Sequence, residues 1–215
     1  MFHELYGALT GPDARRNLVA PLELTDPSLA SWRQALVDHA FATALAPALA
    51  QHEVVLQAAG TEVLHFWTAA QELCGWLAGL MHAQRTADPS SSLEALRSQT
   101  FAGCEVELEI ELTDPQWPES ILLQGRADAV LARRTDARRC VLELKLGRTH
   151  PEADLLQGCL YHLMLMQRDA SASDAALAMV SFEPQPREQV FDALQLRQAQ
   201  HALKAVLAEL AGFAR

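Results

Sequence analysis

The chain has 215 residues, half of them apolar and a fifth charged, which suits a globular domain with a sizeable core and excludes a disordered or fibrous one. A net charge of −10 argues against indiscriminate binding to nucleic acid. No apolar run reaches the roughly 18 uncharged residues needed to cross a bilayer. The opening MFHELYGALTGPDARR lacks a basic start followed by an apolar run, so a cytoplasmic location without membrane partners is expected.

Residues 1–27 carry Pro12, Pro21 and Pro27 and a Thr-Gly-Pro-Asp turn signal, which predicts a mostly irregular arm. Asp26-Pro27-Ser28 reads as a helix start, and an alanine-rich helix should run from Ser28 to about Gln57, broken at Pro47. Thr61 to about Arg85 is the strongest helix, with Leu64, Trp67, Leu73, Trp76, Leu77, Leu80 and Met81 as its apolar face. A loop at Asp88–Ser92 precedes a short helix over Ser92–Gln99.

Glu105 to Leu112 alternates without error and is the clearest strand. Its four glutamates suit a solvated outer face better than a metal site. After a Pro-rich turn at Thr113–Pro118, a second strand runs from Ile121 to about Arg133, and a third from Arg139 to Leu146. A helix follows from about Pro151 to Arg168, then a buried strand from Ala175 to Phe182 and a final helix from about Ala193 to Phe213. Helix, three meandering strands, helix, strand, helix predicts an α/β domain with a mixed central sheet. Residues 1–59 are expected to form an N-terminal arm and helical extension packed on a core of residues 60–215.

The four cysteines, Cys74, Cys104, Cys140 and Cys159, contain no Cys-x-x-Cys pair. That spacing disfavours zinc or an iron–sulfur cluster, and reduced, mostly buried thiols are expected. Charge is unevenly spread. Arg126 to Arg148 holds seven basic and three acidic residues, a local +4 against −14 for the remainder. Such a patch suits an enzyme that meets DNA at one place, or one that a partner loads. Arg126, Arg133, Arg134, Arg138, Arg139 and Arg148 are the candidate phosphate contacts, with Arg148 the best placed. The four arginines about the hairpin tip read equally well as a solvated turn.

Three short motifs share this region. Gly-Arg-Ala-Asp ends at Asp128, Glu-Leu-Lys spans Glu143–Lys145, and Gln-Gly-Cys-Leu-Tyr spans Gln157–Tyr161. Glu143 and Lys145 share one strand face, and Leu142, Leu144 and Leu146 the other. Asp128 lies on the neighbouring strand, and Gly125 permits a bulge or a close approach. Two carboxylates on adjacent strands can share a Mg²⁺ ion that keeps several waters. Lys145 would orient the water or offset charge in the transition state. A cross-strand salt bridge is the bland alternative for Glu-x-Lys. Gln157 and Tyr161, four apart, share a helix face and could bind phosphate oxygens, or form a surface pair without function.

In order and spacing these motifs resemble the PD-(D/E)XK nuclease superfamily, and the Gln-x-x-x-Tyr helix resembles its RecB-like branch, which includes λ-exonuclease-type and helicase-associated nucleases. The likeness covers about residues 60–182, its motifs about 120–165. It implies a restriction-endonuclease-like core and hydrolysis of DNA phosphodiesters with Mg²⁺ or Mn²⁺. It assigns Asp128, Glu143 and the Leu144 carbonyl to the metal, Lys145 to catalysis, and Gln157 and Tyr161 to the branch-specific helix. His65, after Gly60-Thr61, is the candidate fourth ligand, although its spacing is one residue long; His82, Glu62 and Glu72 are the other choices. The cysteines do not match the cluster-bearing relatives, so no iron–sulfur cluster is expected. The expected function is a metal-dependent DNA nuclease in repair or antiviral defence, with a helicase or translocase as its expected partner. The alternatives are a catalytically silent nuclease fold that binds DNA or docks in a complex, and a nuclease acting on RNA.

Overall fold

The computed structural model describes residues 2–51, 60–113, 120–132, 138–146, 150–169, 175–182 and 185–213. Its first element corrects the expected irregular arm: α1 spans Phe2–Thr10 and α2 spans Val19–Glu23. Phe2, Leu5, Tyr6 and Leu9 fall at helical spacing and are all buried. That stripe outweighs the prolines, which lie outside α1. Pro21 sits in the first turn of α2, where a missing N–H costs no helical bond.

Helix α3, Leu29–Ala40, starts at the expected place, and the Ser28 hydroxyl accepts the Ser31 N–H at 3.2 Å. The expected break at Pro47 takes the form of a π-turn, Phe41–Leu45, ahead of α4, Ala46–Gln51. Proline lacks an N–H and crowds the carbonyl four residues back, and the wider turn relieves both. Residues 52–57 of the expected helix lie outside the described residues.

Helix α5 spans Gly60–Ala87, and α6, Leu93–Thr100, is capped by the Ser92 hydroxyl, which accepts the Ala95 N–H at 3.2 Å. The buried stripe of α5 is Phe66, Ala69, Ala70, Leu73, Cys74, Leu77, Ala78 and Met81. Leu73, Leu77 and Met81 of the expected face belong to it, whereas Leu64 is 67 % exposed, and Trp67, Trp76 and Leu80 are half-buried. Small residues among the bulky ones let α3 pack closely along α5.

Strands β1 (Phe101–Leu112), β2 (Ile121–Ala132), β3 (Arg139–Lys145), β4 (Ala176–Ser181) and β5 (Arg187–Phe191) form one sheet in the order β1-β2-β3-β4-β5. β2 and β3 are antiparallel, with Ala129 opposite Leu142 and Ala132 opposite Arg139. The Phe182 N–H, just past β4, donates to the Lys145 carbonyl at the end of β3, 3.1 Å away. Their carboxyl ends therefore meet, and the two strands run parallel, linked through α7, Pro151–Arg168. The sheet is mixed, as expected. The expected turn residues 114–118, Thr135-Asp136 and Gly147 lie outside the described residues. β5 is an addition to the expected strands. Only Phe191 of its five residues is buried, the pattern of an outer strand with little alternation to read.

The last helix, α8, is Ala193–Phe213. Asp192 Oδ1 accepts the Leu194 and Gln195 N–H groups, and Gln195 Oε1 accepts the Asp192 N–H at 3.0 Å, a capping box.

The chain divides into two compact units. One is Met1–Phe101 with Lys145–Arg148 and Ser181–Arg187, so α5 groups with the N-terminal helices. Phe2 packs there against Phe66 and Phe182, with ring centroids 6.4 and 5.4 Å apart. The other is Ala102–Leu144, Thr149–Val180 and Glu188–Arg215. Its core lies between the sheet and the helices α7 and α8, around Leu108, Ala127, Val141, Met164, Leu177 and Leu196.

Candidate active site

The second unit gathers most of the motif residues. β2 delivers Asp128 between Ala127 and Ala129, both fully buried, so the strand is held tightly on either side of the acid. β3 is buried from Val141 to Leu144, and Glu143 itself is only 2 % exposed. Glu143 is therefore not a surface side chain. Sinking an ionised carboxylate this far costs several kcal/mol of hydration, roughly, unless compensating charge or hydrogen bonds meet it.

The register of the hairpin brings the two acids together. Ala129 faces Leu142 at the last rung of the regular ladder, and Asp128 and Glu143 are the next residues along their strands. There the Leu144 N–H takes an Asp128 carboxylate oxygen as its acceptor, at 2.7 Å. In an extended strand the N–H and C=O of one residue face the same neighbour, so the Leu144 carbonyl also faces β2. Val141 belongs to the core under α7, and the two-residue period puts Glu143 on that same side of β3.

On the amino-terminal half of β2, Leu123 and Ala127 are the residues packed with this core. The inward set thus changes phase between Ala127 and Val130, as at a bulge, a device that re-aims a side chain.

Lys145 follows Glu143 by two positions on β3 and is half-buried. Its carbonyl is the one bonded to Phe182, which anchors the end of the strand. Tyr161 of α7 is 9 % exposed, and its hydroxyl accepts a hydrogen bond from Gln157 Nε2 at 3.1 Å. Gln157 is exposed. Gly125 lies directly against the Tyr161 ring: a Cβ built there would come within 2.4 Å of Tyr161 Cε1.

The other expected ligands belong to the first unit. His65 and Glu62 are exposed on α5 in the first unit. Glu72 accepts a hydrogen bond from Arg33 Nη2 at 3.1 Å, and His82 packs edge-on against Trp32 with centroids 5.8 Å apart. Among the described residues, no group of three or more His, Cys, Asp or Glu side chains could hold one ion. The expected donors that belong to the second unit are all oxygen: two carboxylates and a main-chain carbonyl. Such a set suits a hard cation that keeps its waters, Mg²⁺ or Mn²⁺, and suits zinc poorly.

Arg126 is exposed and lies 3.8 Å from Glu105, across from the acidic face of β1. Glu105, Glu107, Glu109 and Glu111 are all exposed, the solvated face expected from their spacing. Arg126 also lines an open groove of about 980 Å³ with Glu107, Glu109, Gln124 and Arg168. Arg148, Arg133 and Arg134 lie outside the described residues. Burial pushes the Cys74 thiol up to about 12 and those of Cys140 and Cys159 to about 11, which keeps them protonated and inert near neutral pH.

Two buried polar residues carry no motif and escaped the sequence reading. His162, next to Tyr161, is 4 % exposed. Its Nε2–H donates to the Ala175 carbonyl at 2.9 Å, and Nδ1 accepts from Gln200 Nε2 at 3.2 Å. Burial lowers its pKa below 6.5, which favours this neutral form. Arg97, in the first unit, donates to the Thr10 carbonyl at 2.7 Å and pairs with Glu94. A lone histidine or arginine on an amphipathic helix gives no sequence signal for either role.

No family model and no curated protein matches the chain. Among solved structures it is similar to the crystal structure of SSO0001, at 18 % identity over 71 % of this chain and 69 % of that one, with a TM-score of 0.32.

Proposed function

We propose that the protein is a divalent-metal-dependent DNA nuclease of the PD-(D/E)XK type, RecB-like branch, with a restriction-endonuclease-like core. The observation that carries this reading is the Asp128–Leu144 bond, which joins the acid of one motif to the backbone between the Glu and Lys of the next. The buried Glu143 and the Gln157–Tyr161 pair on the following helix support it.

In this reading Asp128, Glu143 and the Leu144 carbonyl hold Mg²⁺ or Mn²⁺. The ion, when bound, offsets phosphoryl charge and lowers the pKa of an attacking water. Lys145 holds that water's oxygen and the non-bridging oxygens of the scissile phosphate in place. Gln157 contributes a neutral amide donor to the phosphate. Glu143, sunk in the strand, is kept from turning away, so the acid does not need reorganising during the reaction. Arg126 and Arg148 meet the nucleic acid backbone. With a net charge of −10, the enzyme relies on a helicase or translocase to deliver DNA, in repair or antiviral defence. No helix among the described residues is long and apolar enough to cross a membrane, and a cytoplasmic setting fits the free cysteines.

End-labelled linear DNA and closed circular DNA are incubated with Mg²⁺ or Mn²⁺ and either wild type or Lys145→Ala. Cleavage by wild type alone is expected, and the circular substrate separates endonuclease from exonuclease. Failure to cut single- or double-stranded DNA, with products of neighbouring genes also supplied, rejects the reading. A second reading, a silent docking module, is favoured by the absence of a three-ligand group among the described residues. Calorimetry with Mn²⁺ separates the two, since a silent module shows no carboxylate-dependent uptake.

A further inference from the structure

We propose that a cleft in the first unit, between the start of α3 and the middle of α5, binds a guanine base, with Glu72 and Arg33 reading its hydrogen-bonding edge beside Trp76; this site is independent of the nuclease reading. The cleft has a volume of about 610 Å³, within the roughly 300–1,000 Å³ of small-molecule sites. Leu29, Ala30, Trp76 and Pro186 give it apolar walls, and Arg33 and Glu72 are its charged lining residues. All six lie in the first unit. Apolar walls around a few convergent polar groups are the usual make-up of a ligand site.

Arg33 Nη2 donates to Glu72 Oε1 at 3.1 Å, and the two side chains are 51 % and 29 % exposed, so both are open to a ligand in the cleft. The guanidinium lies along the backbone of α5: a Cβ at Gly75 would come within 3.2 Å of Arg33 Nε and 3.4 Å of Cζ. Glycine inside a helix destabilises it relative to alanine, and here it clears the space that the guanidinium fills. An exposed ion pair adds little stability, so stability alone does not account for a glycine that seats one.

The bond between the two side chains uses one of about five guanidinium N–H groups and one of about four carboxylate lone pairs. Acceptor sites on Glu72 therefore stand next to donor sites on Arg33. That order complements guanine, whose N1–H and 2-amino group donate side by side while O6 accepts. Adenine lacks the second adjacent donor, and thymine would set a carbonyl against the carboxylate. Trp76 is half-buried and packs edge-on against Phe182, with centroids 6.2 Å apart. Its indole is thereby a fixed apolar wall of the kind on which a base stacks. A free nucleotide and an unpaired base of a single strand present the same edge.

The test is calorimetry on the full-length protein without added metal. Deoxyguanosine monophosphate should bind with a Kd below about 1 mM, and deoxyinosine monophosphate, which lacks only the 2-amino group, at least about tenfold more weakly. Deoxyadenosine monophosphate should give no binding heat over the same range. Glu72→Gln, which sets an amide N–H against the donors of the base, and Arg33→Met should each weaken the guanine nucleotide about tenfold or more. No binding of the guanine nucleotide, or equal binding of all three by wild type, overturns the site without any variant having to fold. Unchanged affinity in a folded Glu72→Gln overturns it too. An oligothymidylate with one guanine that displaces the nucleotide, where plain oligothymidylate does not, identifies a base of a single strand as the ligand. Nucleotide binding without such displacement identifies a free nucleotide, and both results support the site. A protein that binds the guanine nucleotide and cuts no DNA keeps this site and loses the nuclease reading.

Discussion

The Asp128 carboxylate accepts the Leu144 N–H at 2.7 Å, so a side chain of β2 takes over a backbone bond of β3 one rung past the regular ladder. The acid is thereby both a structural clamp and a candidate ligand, and the two roles separate by substitution. Asp128→Asn retains a carbonyl oxygen for Leu144 and loses the charge. It should unfold within about 1 kcal/mol of wild type, whereas Asp128→Ala should lose about 1–3 kcal/mol because the Leu144 N–H is left without that acceptor. Both should abolish cleavage. Urea titrations beside the DNA assay check this; cleavage by Asp128→Asn would remove Asp128 from the metal site.

Glu143 at 2 % exposure makes a different prediction. A cation bound to the native state alone stabilises it by about 2.7 kcal/mol at a hundred times its Kd. Saturating Mn²⁺ should therefore raise the wild-type Tm by several degrees and leave that of Glu143→Gln unchanged. Equal shifts in the two proteins would mean that the ion binds elsewhere.

Much of this arrangement is legible in the chain. The unbroken alternation of Glu105–Leu112 and the apolar runs of β3 and β4 identify the strands, because each buries at least one regular face. The motif order points to β2, β3 and α7. The Asp128–Leu144 bond is not legible, since it depends on the register and a local change of phase in β2. Helix α1 was hidden by its neighbouring prolines, and β5 by its exposure. In α5 half of the inner stripe is Ala69, Ala70, Cys74 and Ala78, small side chains that add little to the bulky pattern, while the bulky Leu64 faces water. Buried polar ties such as His162 arise from tertiary partners distant in sequence.

Gly158 seats α7 on β4 much as Gly125 receives Tyr161. A Cβ there would lie 2.6 and 2.8 Å from the two methyl carbons of Leu177. Gly158→Ala trades better helix propensity, about 1 kcal/mol, against this clash. Leu177 is fully buried and has little room to yield, so the net effect should be a loss of about 1–2 kcal/mol. The double variant Gly158→Ala/Leu177→Val should recover part of it, as read from urea midpoints at unchanged slope. Full additivity of the two losses would show that α7 does not rest on Leu177.

The His162 clamp sets a pH dependence whose sign follows from its burial. The folded-state pKa lies below 6.5 because burial opposes the charged ring more than the Ala175 carbonyl favours it. As pH falls, the unfolded chain takes up the proton first, so the stability contributed by the neutral ring is complete above about pH 6.5. It is then lost progressively as pH falls toward and through the folded value, with a slope of at most about 1.4 kcal/mol per pH unit from this one group. A protonated ring would also present an N–H to Gln200 Nε2, which now donates to it. Urea midpoints for wild type should drop between pH 7 and pH 5. In His162→Gln, which can still donate to the Ala175 carbonyl without titrating, the drop should be smaller. Identical pH profiles for the two proteins would show that His162 is not the group that titrates.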